Sequence, residues 1–204
     1  MKESPIIEGI DELLALYREI DEAIKSFINS TTVNCPALCG RCCDTAASNV
    51  ETSIFEVMPL ALDIWETGNA DSVLKGLENL HDNDPCFFYA ANVSADTGGH
   101  CTVYSLRPLV CRLFGFYSMT GKYGDRLRAT CPRLVNMKDG APAGSIDAAL
   151  LPSMTDYAGR SSTLNPFLGS KRYPFNSALR MALAMVGLKR DYLYGSHDLR
   201  KDVS

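Results

Sequence analysis

Residues 34–44 read Asn-Cys-Pro-Ala-Leu-Cys-Gly-Arg-Cys-Cys-Asp, NCPALCGRCCD, and place four thiols, Cys35, Cys39, Cys42 and Cys43, within nine residues. Two conformations are open to this stretch. With Asn34 or Cys35 as a helix cap and Pro36 in the first turn, the four cysteines fall at i, i+4, i+7 and i+8 and project within about 100° of one another. In a loop, the adjacent Cys42 and Cys43 tend to point apart and serve different ions. Packing alone gives no reason for four thiols side by side, so either conformation reads as the nucleus of a soft-metal site.

The other four cysteines, Cys86, Cys101, Cys111 and Cys131, lie in separate segments. A metal joining them to the first cluster fastens much of the chain together. Eight thiols allow one site of four with spare thiols or two sites of four, and the sequence does not decide the pairing. The chain has 204 residues, 46% of them hydrophobic and 22% charged, which is the composition of a folded domain with a packed core. Its N-terminus is acidic and periodic, without the basic start and apolar run of a signal peptide. The most apolar stretch, ALRMALAMVGL at residues 178–188, is interrupted by Arg180 and too short to span a membrane. A cytoplasmic location is therefore expected, where disulfides are rare and cysteine clusters are metal-binding or catalytic.

Apolar positions at Ile10, Leu13, Leu14, Tyr17, Ile20, Ile24, Phe27 and Ile28 predict an amphipathic helix over residues 8–29. Val50 to Thr52 reads as a short extended piece. Ser53 and Glu56 then have capping-box spacing before IFEVMPLALDIWE, with Pro59 either kinking the helix or delaying its start. A third helix is expected over 71–81 with Asp71 as its cap. Residues 82–99 are turn-rich and end in DTGG, HCTVY is a candidate strand, Pro108 suits a helix starting near Arg107, and GKYGD marks a turn. Residues 177–190 form a last helix. The expected fold is mostly α with a few short β-strands, a small irregular metal-stapled domain. It divides into an N-terminal helix (1–34), the cysteine-cluster domain (35–132) and a C-terminal helical extension packed on it (133–204).

CPALCGRCC, then CFFYA, then HCTVYSLRPLVCRLFG and a later CP together resemble the YkgJ-like cysteine cluster family, also known as CxxCxxCC, a zinc- or iron-chelating domain. The C-x-x-Y-x-x-R-P-x-x-C-R-x-F segment of that family is matched by Cys101, Tyr104, Arg107, Pro108, Cys111, Arg112 and Phe114. The resemblance covers about residues 35–132 and implies metal ligation by all eight cysteines. One departure is that three residues, not two, separate Cys35 from Cys39, which sets Cys35 apart from the other three. Flagellin lysine N-methylases carry a similar cysteine pattern, which implies a role for some relatives in methyl transfer to protein lysines; here that likeness is confined to the cysteines.

The spacing C-x3-C-x2-C of the first three thiols also occurs in radical S-adenosylmethionine enzymes. Such an enzyme needs a barrel of repeated strand–helix units, which the sequence lacks, and Arg41 stands where an aromatic residue is usual. A Cys–His or Ser–His–Asp hydrolase finds little support in three histidines: His81 sits at a helix end, His100 precedes Cys101 in a polar loop, and His197 lies in a polar tail. The choice is between an iron-sulfur centre, as a [4Fe-4S] cluster with a redox or enzyme-component role, and a zinc-binding structural or interaction module. One dense cluster plus four dispersed cysteines fits a cluster cage better than paired C-x2-C knuckles, so iron-sulfur is the first expectation and zinc the alternative.

Arg107 and Arg112 beside Cys111 are candidate hydrogen-bond donors to cluster sulfurs, with Tyr104 close by; the competing role for the two arginines is salt bridging to the acidic N-terminal helix. Residues 1–34 hold seven acids against three bases, and residues 107–139 seven bases against two acids. A protein or redox partner is expected, whereas the net charge of −4 does not favour nucleic acid and no membrane segment is found.

Overall fold

The computed structural model describes residues 7–35, 39–81, 83–91, 99–140, 143 and 146–198. Helix α1 (Ile10–Thr31) turns its apolar stripe inward through Leu13, Leu16, Tyr17, Ile20 and Phe27. Its start is later than the periodicity alone predicts because Gly9 is left-handed at φ 81°. Its end is a left-handed Thr32 (φ 57°), whose N–H donates to the Ile28 carbonyl. That conformation costs a β-branched residue about 1–2 kcal/mol, and it turns the chain directly into strand β1 (Val33–Asn34).

Helix α2 (Met58–Glu66) starts after the predicted capping residues. Ser53 Oγ does accept the Glu56 N–H at 3.2 Å, but Pro59, lacking an N–H, fits only the first turn and sets the start at Met58. Helix α3 (Ala70–Glu78) begins one residue before Asp71, which sits in the first turn, where its charge meets the helix N-terminus, and does not cap. Helix α4 (Leu109–Leu113) follows Pro108. Helix α5 (Met154–Leu164) is capped by Ser153 and α6 (Pro166–Gly169) by Asn165. The sequence reading has neither, because α5 is polar and buries only Ser161.

Helix α7 (Phe175–Asp198) is the longest element. Phe175, Ala178, Leu179, Ala182, Leu183 and Val186 all lie on its buried stripe. Each large member contributes about 1.5–3 kcal/mol by leaving water. The small residues let α2 approach: a Cβ on Gly187 would stand 2.7 Å from the Trp65 ring, and Trp65 Nε1 donates to the Leu183 carbonyl at 2.9 Å. One core joins α1, α2, α3, α4 and α7, and a smaller one gathers Phe27, Val33, Phe116, Leu134, Ile146 and Leu151.

The strands form four antiparallel pairs. β2 (Glu51–Ser53) pairs with β8 (Arg172–Pro174), and β3 (Tyr89–Ala91) with β4 (Gly99–Cys101). β5 (Phe116–Thr120) and β6 (Arg126–Thr130) make a hairpin closed by the expected GKYGD turn, where the Gly121 N–H donates to the Asp125 carbonyl at 2.7 Å. β1 pairs with β7 (Val135–Asn136). The architecture is mostly helical with short strands, and no helix among the described residues is long and apolar enough to cross a membrane. Of the expected 82–99 loop, Asp82 and residues 92–98 lie outside the described residues.

Candidate metal centre

Among the described residues of the cluster, Cys35 and residues 39–43 are not helical. Cys35 follows strand β1, and its N–H donates to Asn34 Oδ1 at 2.7 Å. Pro36 lies outside the described residues. Cys39 to Asp44 form a tight turn in which the N–H groups of Cys43 and Asp44 both donate to the Gly40 carbonyl, at 2.8 and 3.1 Å. Nor do the adjacent thiols point apart, since the Cys42 and Cys43 sulfurs are 3.9 Å from each other.

Gly40 explains why the turn sits where it does. An added Cβ there would lie 2.2 Å from the Gly99 carbonyl oxygen and 2.8 Å from the His100 nitrogen, so only glycine allows the turn to lie against β4. Downstream, Ala46 bridges Pro85 and the Ala47 N–H donates to the Asp84 carbonyl. The first cluster is thereby stitched to the segment that carries Cys86. Cys101 ends β4 opposite Tyr89, whose N–H donates to the Cys86 carbonyl at 2.9 Å. Cys111 sits between the fully buried Leu109 and Leu113 on α4. Cys131 follows β6, its N–H donating to the Gly115 carbonyl.

All eight cysteines are unbridged and partly buried. Interaction with Cys43 pulls Cys42 down to about 6 and Cys101 down to about 7, with the Arg107 guanidinium assisting both. Cys43 itself is pushed far up by the same two contacts. Burial raises Cys35 to about 12, helped by Cys39 and Cys131, and raises Cys86 to about 12. Burial also lifts Cys111, with Cys86, Cys101 and Cys42 adding to the effect. Cys42 and Cys101 are thus the thiols most ready to ionise and ligate near neutral pH.

The donor set is soft sulfur, which suits zinc or iron. Among the described residues, however, no three His, Cys, Asp or Glu side chains stand close enough together to hold an ion as placed. The Cys42 and Cys43 sulfurs are 3.9 Å apart, Cys101 perturbs Cys43, and Cys39 perturbs Cys35. His100 is exposed on β4.

The two arginines part company. Arg112, with its side chain 7% exposed, pairs with Asp21 of α1 at 2.5 Å, donates to the carbonyls of Arg107 and Ser105, and lies over the Tyr17 ring at 4.5 Å. It locks α4 to the acidic helix. Arg107 stacks 3.4 Å over the exposed Tyr104 ring, donates to the Tyr104 carbonyl, and directs its positive field at Cys42, Cys101 and Cys111. Two residues absent from the sequence reading matter as well. Gly40, at the middle of C-G-R-C, sets the docking, and Asp21 holds Arg112. Beside Cys131 opens a cavity of about 390 Å³ lined by Arg128, Thr130, Ala143 and Ile146 among others.

Comparison with curated proteins and with solved structures finds no match to the chain. A family match does exist, and it spans residues 34–132, the stretch that carries every cysteine. Over those residues the chain matches the CxxCxxCC family, described as a zinc- or iron-chelating domain.

Proposed function

We propose that the protein binds iron as an iron-sulfur centre through its eight cysteines, in a redox role or as a component of an enzyme. The observation that supports this most is the approach of the Cys42 and Cys43 sulfurs to 3.9 Å, in a turn that lies against the strand ending in Cys101, with Cys42, Cys101 and Cys111 all in the field of Arg107, a ligand set drawn from dispersed segments. An iron-sulfur cluster supplies one-electron chemistry. The chain's part is to hold anionic sulfur in a half-buried setting and to offset its charge with the Arg107 guanidinium.

Zinc is the second reading, favoured by the Cys39–Cys42 turn, which has the C-x2-C spacing of a zinc knuckle. Purification without oxygen followed by metal, acid-labile sulfide and visible spectra separates the two. Brown protein with iron and sulfide in similar amounts supports the first; colourless protein with stoichiometric zinc and no sulfide overturns it.

A further inference from the structure

We propose that the cavity beside Cys131 is a binding site for a small organic monocarboxylate, held by the Arg128 guanidinium against an apolar wall and placed next to the proposed metal centre. The site stands on the shape and chemistry of the cavity; its role as a substrate or ligand pocket of that centre rests on the metal-binding reading.

Two chain segments build the cavity. Strand β6 and its exit supply Arg128, Thr130, Cys131 and Pro132, and the chain beyond β7 supplies Ala143 and Ile146. Both walls are fixed by backbone contacts and packing. On the first, Thr130 lies opposite Phe116 in the hairpin, and the Cys131 N–H donates to the Gly115 carbonyl at 3.3 Å. On the second, the Ala143 N–H donates to the Leu134 carbonyl at 2.7 Å, and Ile146 is buried in the smaller core. The volume of about 390 Å³ falls in the range of about 300–1,000 Å³ that small-molecule sites occupy.

Arg128 supplies the charge. Alternation along β6 puts Arg126, Arg128 and Thr130 on one face of the hairpin. Arg126 is tied to the carbonyls of Ala149 and Leu151, at 3.4 and 3.2 Å. Arg128 joins none of the ion pairs found among the described residues and lies at the cavity instead, as the one cation among the described residues that line it. A guanidinium presents a planar fork that matches one carboxylate. With no second cation in the lining, a carboxylate fits the charge better than a phosphate group, which carries about 1.5–2 negative charges at neutral pH. Thr130 adds a hydroxyl on the same face. Pro132, Ala143 and Ile146 offer no polar side chain, so the part of the ligand that meets them is hydrocarbon. Cys131 belongs to the same lining, which sets the occupant beside one of the eight thiols.

The test titrates the full chain, purified anaerobically, with acetate, hexanoate and benzoate by calorimetry, with hexanamide and inorganic phosphate as comparison ligands. Saturable one-to-one binding of hexanoate or benzoate is expected, with hexanoate at least about tenfold tighter than hexanamide, the factor that one hydrogen bond to a charged group supplies. Arg128→Gln, a change at an exposed position that leaves the fold intact, should weaken the carboxylate by at least about tenfold at unchanged metal content. Ala143→Leu narrows the cavity but keeps the guanidinium, and should weaken hexanoate more than acetate. No saturable binding of any of the three carboxylates, binding that Arg128→Gln leaves unchanged, or phosphate bound as tightly as hexanoate overturns the site. Its place beside the centre is read from the rate at which a chelator removes metal. Saturating hexanoate should slow removal in the wild type and not in Arg128→Gln, and equal rates in the wild type overturn that placement. A chain that binds hexanoate yet takes up neither iron nor zinc overturns the metal-binding reading and leaves the carboxylate site standing.

Discussion

Replacing Arg112 with alanine separates a structural arginine from one that serves the metal centre. The guanidinium donates to the carbonyls of Arg107 and Ser105, and hydrogen bonds from a charged donor contribute about 1.5–3 kcal/mol each. Its position over the buried Tyr17 ring adds about 1 kcal/mol. The Asp21 pair, half exposed on the aspartate side at 50%, adds at most about 1 kcal/mol after solvent screening. Since these contributions overlap, the expected loss is about 3–5 kcal/mol, and Arg112→Lys should recover only part of it by keeping the charge without the planar fork. The assay is urea unfolding at matched metal content, followed by fluorescence of Trp65, the single tryptophan, which lies in the α2–α7 contact. At a urea slope of about 2–3 kcal/mol/M, the midpoint should fall by more than about 1 M. A midpoint unmoved in Arg112→Ala, together with a changed visible spectrum or reduction potential, would refute the lock between α4 and α1 and return Arg112 to the sulfurs.

Gly40→Ala puts a methyl group against the backbone of Gly99 and His100, which cannot yield without shifting β4; a loss of about 1–3 kcal/mol and lower metal content are expected, and wild-type values for both would contradict the docking of the turn. Leu183→Ala removes a fully buried side chain from α7 and should cost about 2–5 kcal/mol by thermal or urea unfolding. Glu56 is 1% exposed, and burial raises its pKa although Arg172, Thr52 and Ser53 pull it down. The folded chain therefore holds the Glu56 proton more tightly than the unfolded chain, and this group lowers stability as pH rises from the ordinary glutamate value, about 4.3, through the raised one. Glu56→Gln, measured against wild type by unfolding at several pH values, should gain in relative stability across that window and then level off; a difference independent of pH between about 4 and 8 would count against it.

Elements whose own side chains carry a period were legible. The stripe from Leu13 to Phe27 announced α1, and Pro59 announced either a kink or a late start for α2, of which the late start is what forms. What shifted the boundaries were backbone positions at Gly9 and Thr32, whose positive φ angles no apolar pattern records. Helix α5 escaped notice because its surroundings bury little but Ser161, so its residues carry no stripe to read. The β5–β6 strands were missed for a similar reason: the hairpin turn has glycines to mark it, but Arg126, Leu127 and Arg128 are all exposed and show no inside and outside.

For the cysteines the division is sharper. Identity and spacing are local properties, so the eight thiols could be named from the chain alone. Their grouping depends on contacts across long separations in sequence: Thr32 O with the Met137 N–H, Ala46 with Pro85, and Gly40 against Gly99. Each is a backbone contact, made by residues whose side chains advertise nothing. The same reasoning reassigns Arg112, because its partner Asp21 is 91 residues away and sits on a helix face that looks like ordinary solvated acid. The R-P-x-x-C-R segment therefore does two jobs with two similar side chains. Arg107, stacked on Tyr104, lends its positive field to Cys42, Cys101 and Cys111, while Arg112, five residues on, anchors α4 on α1, so that Cys111 is presented from a fixed helix.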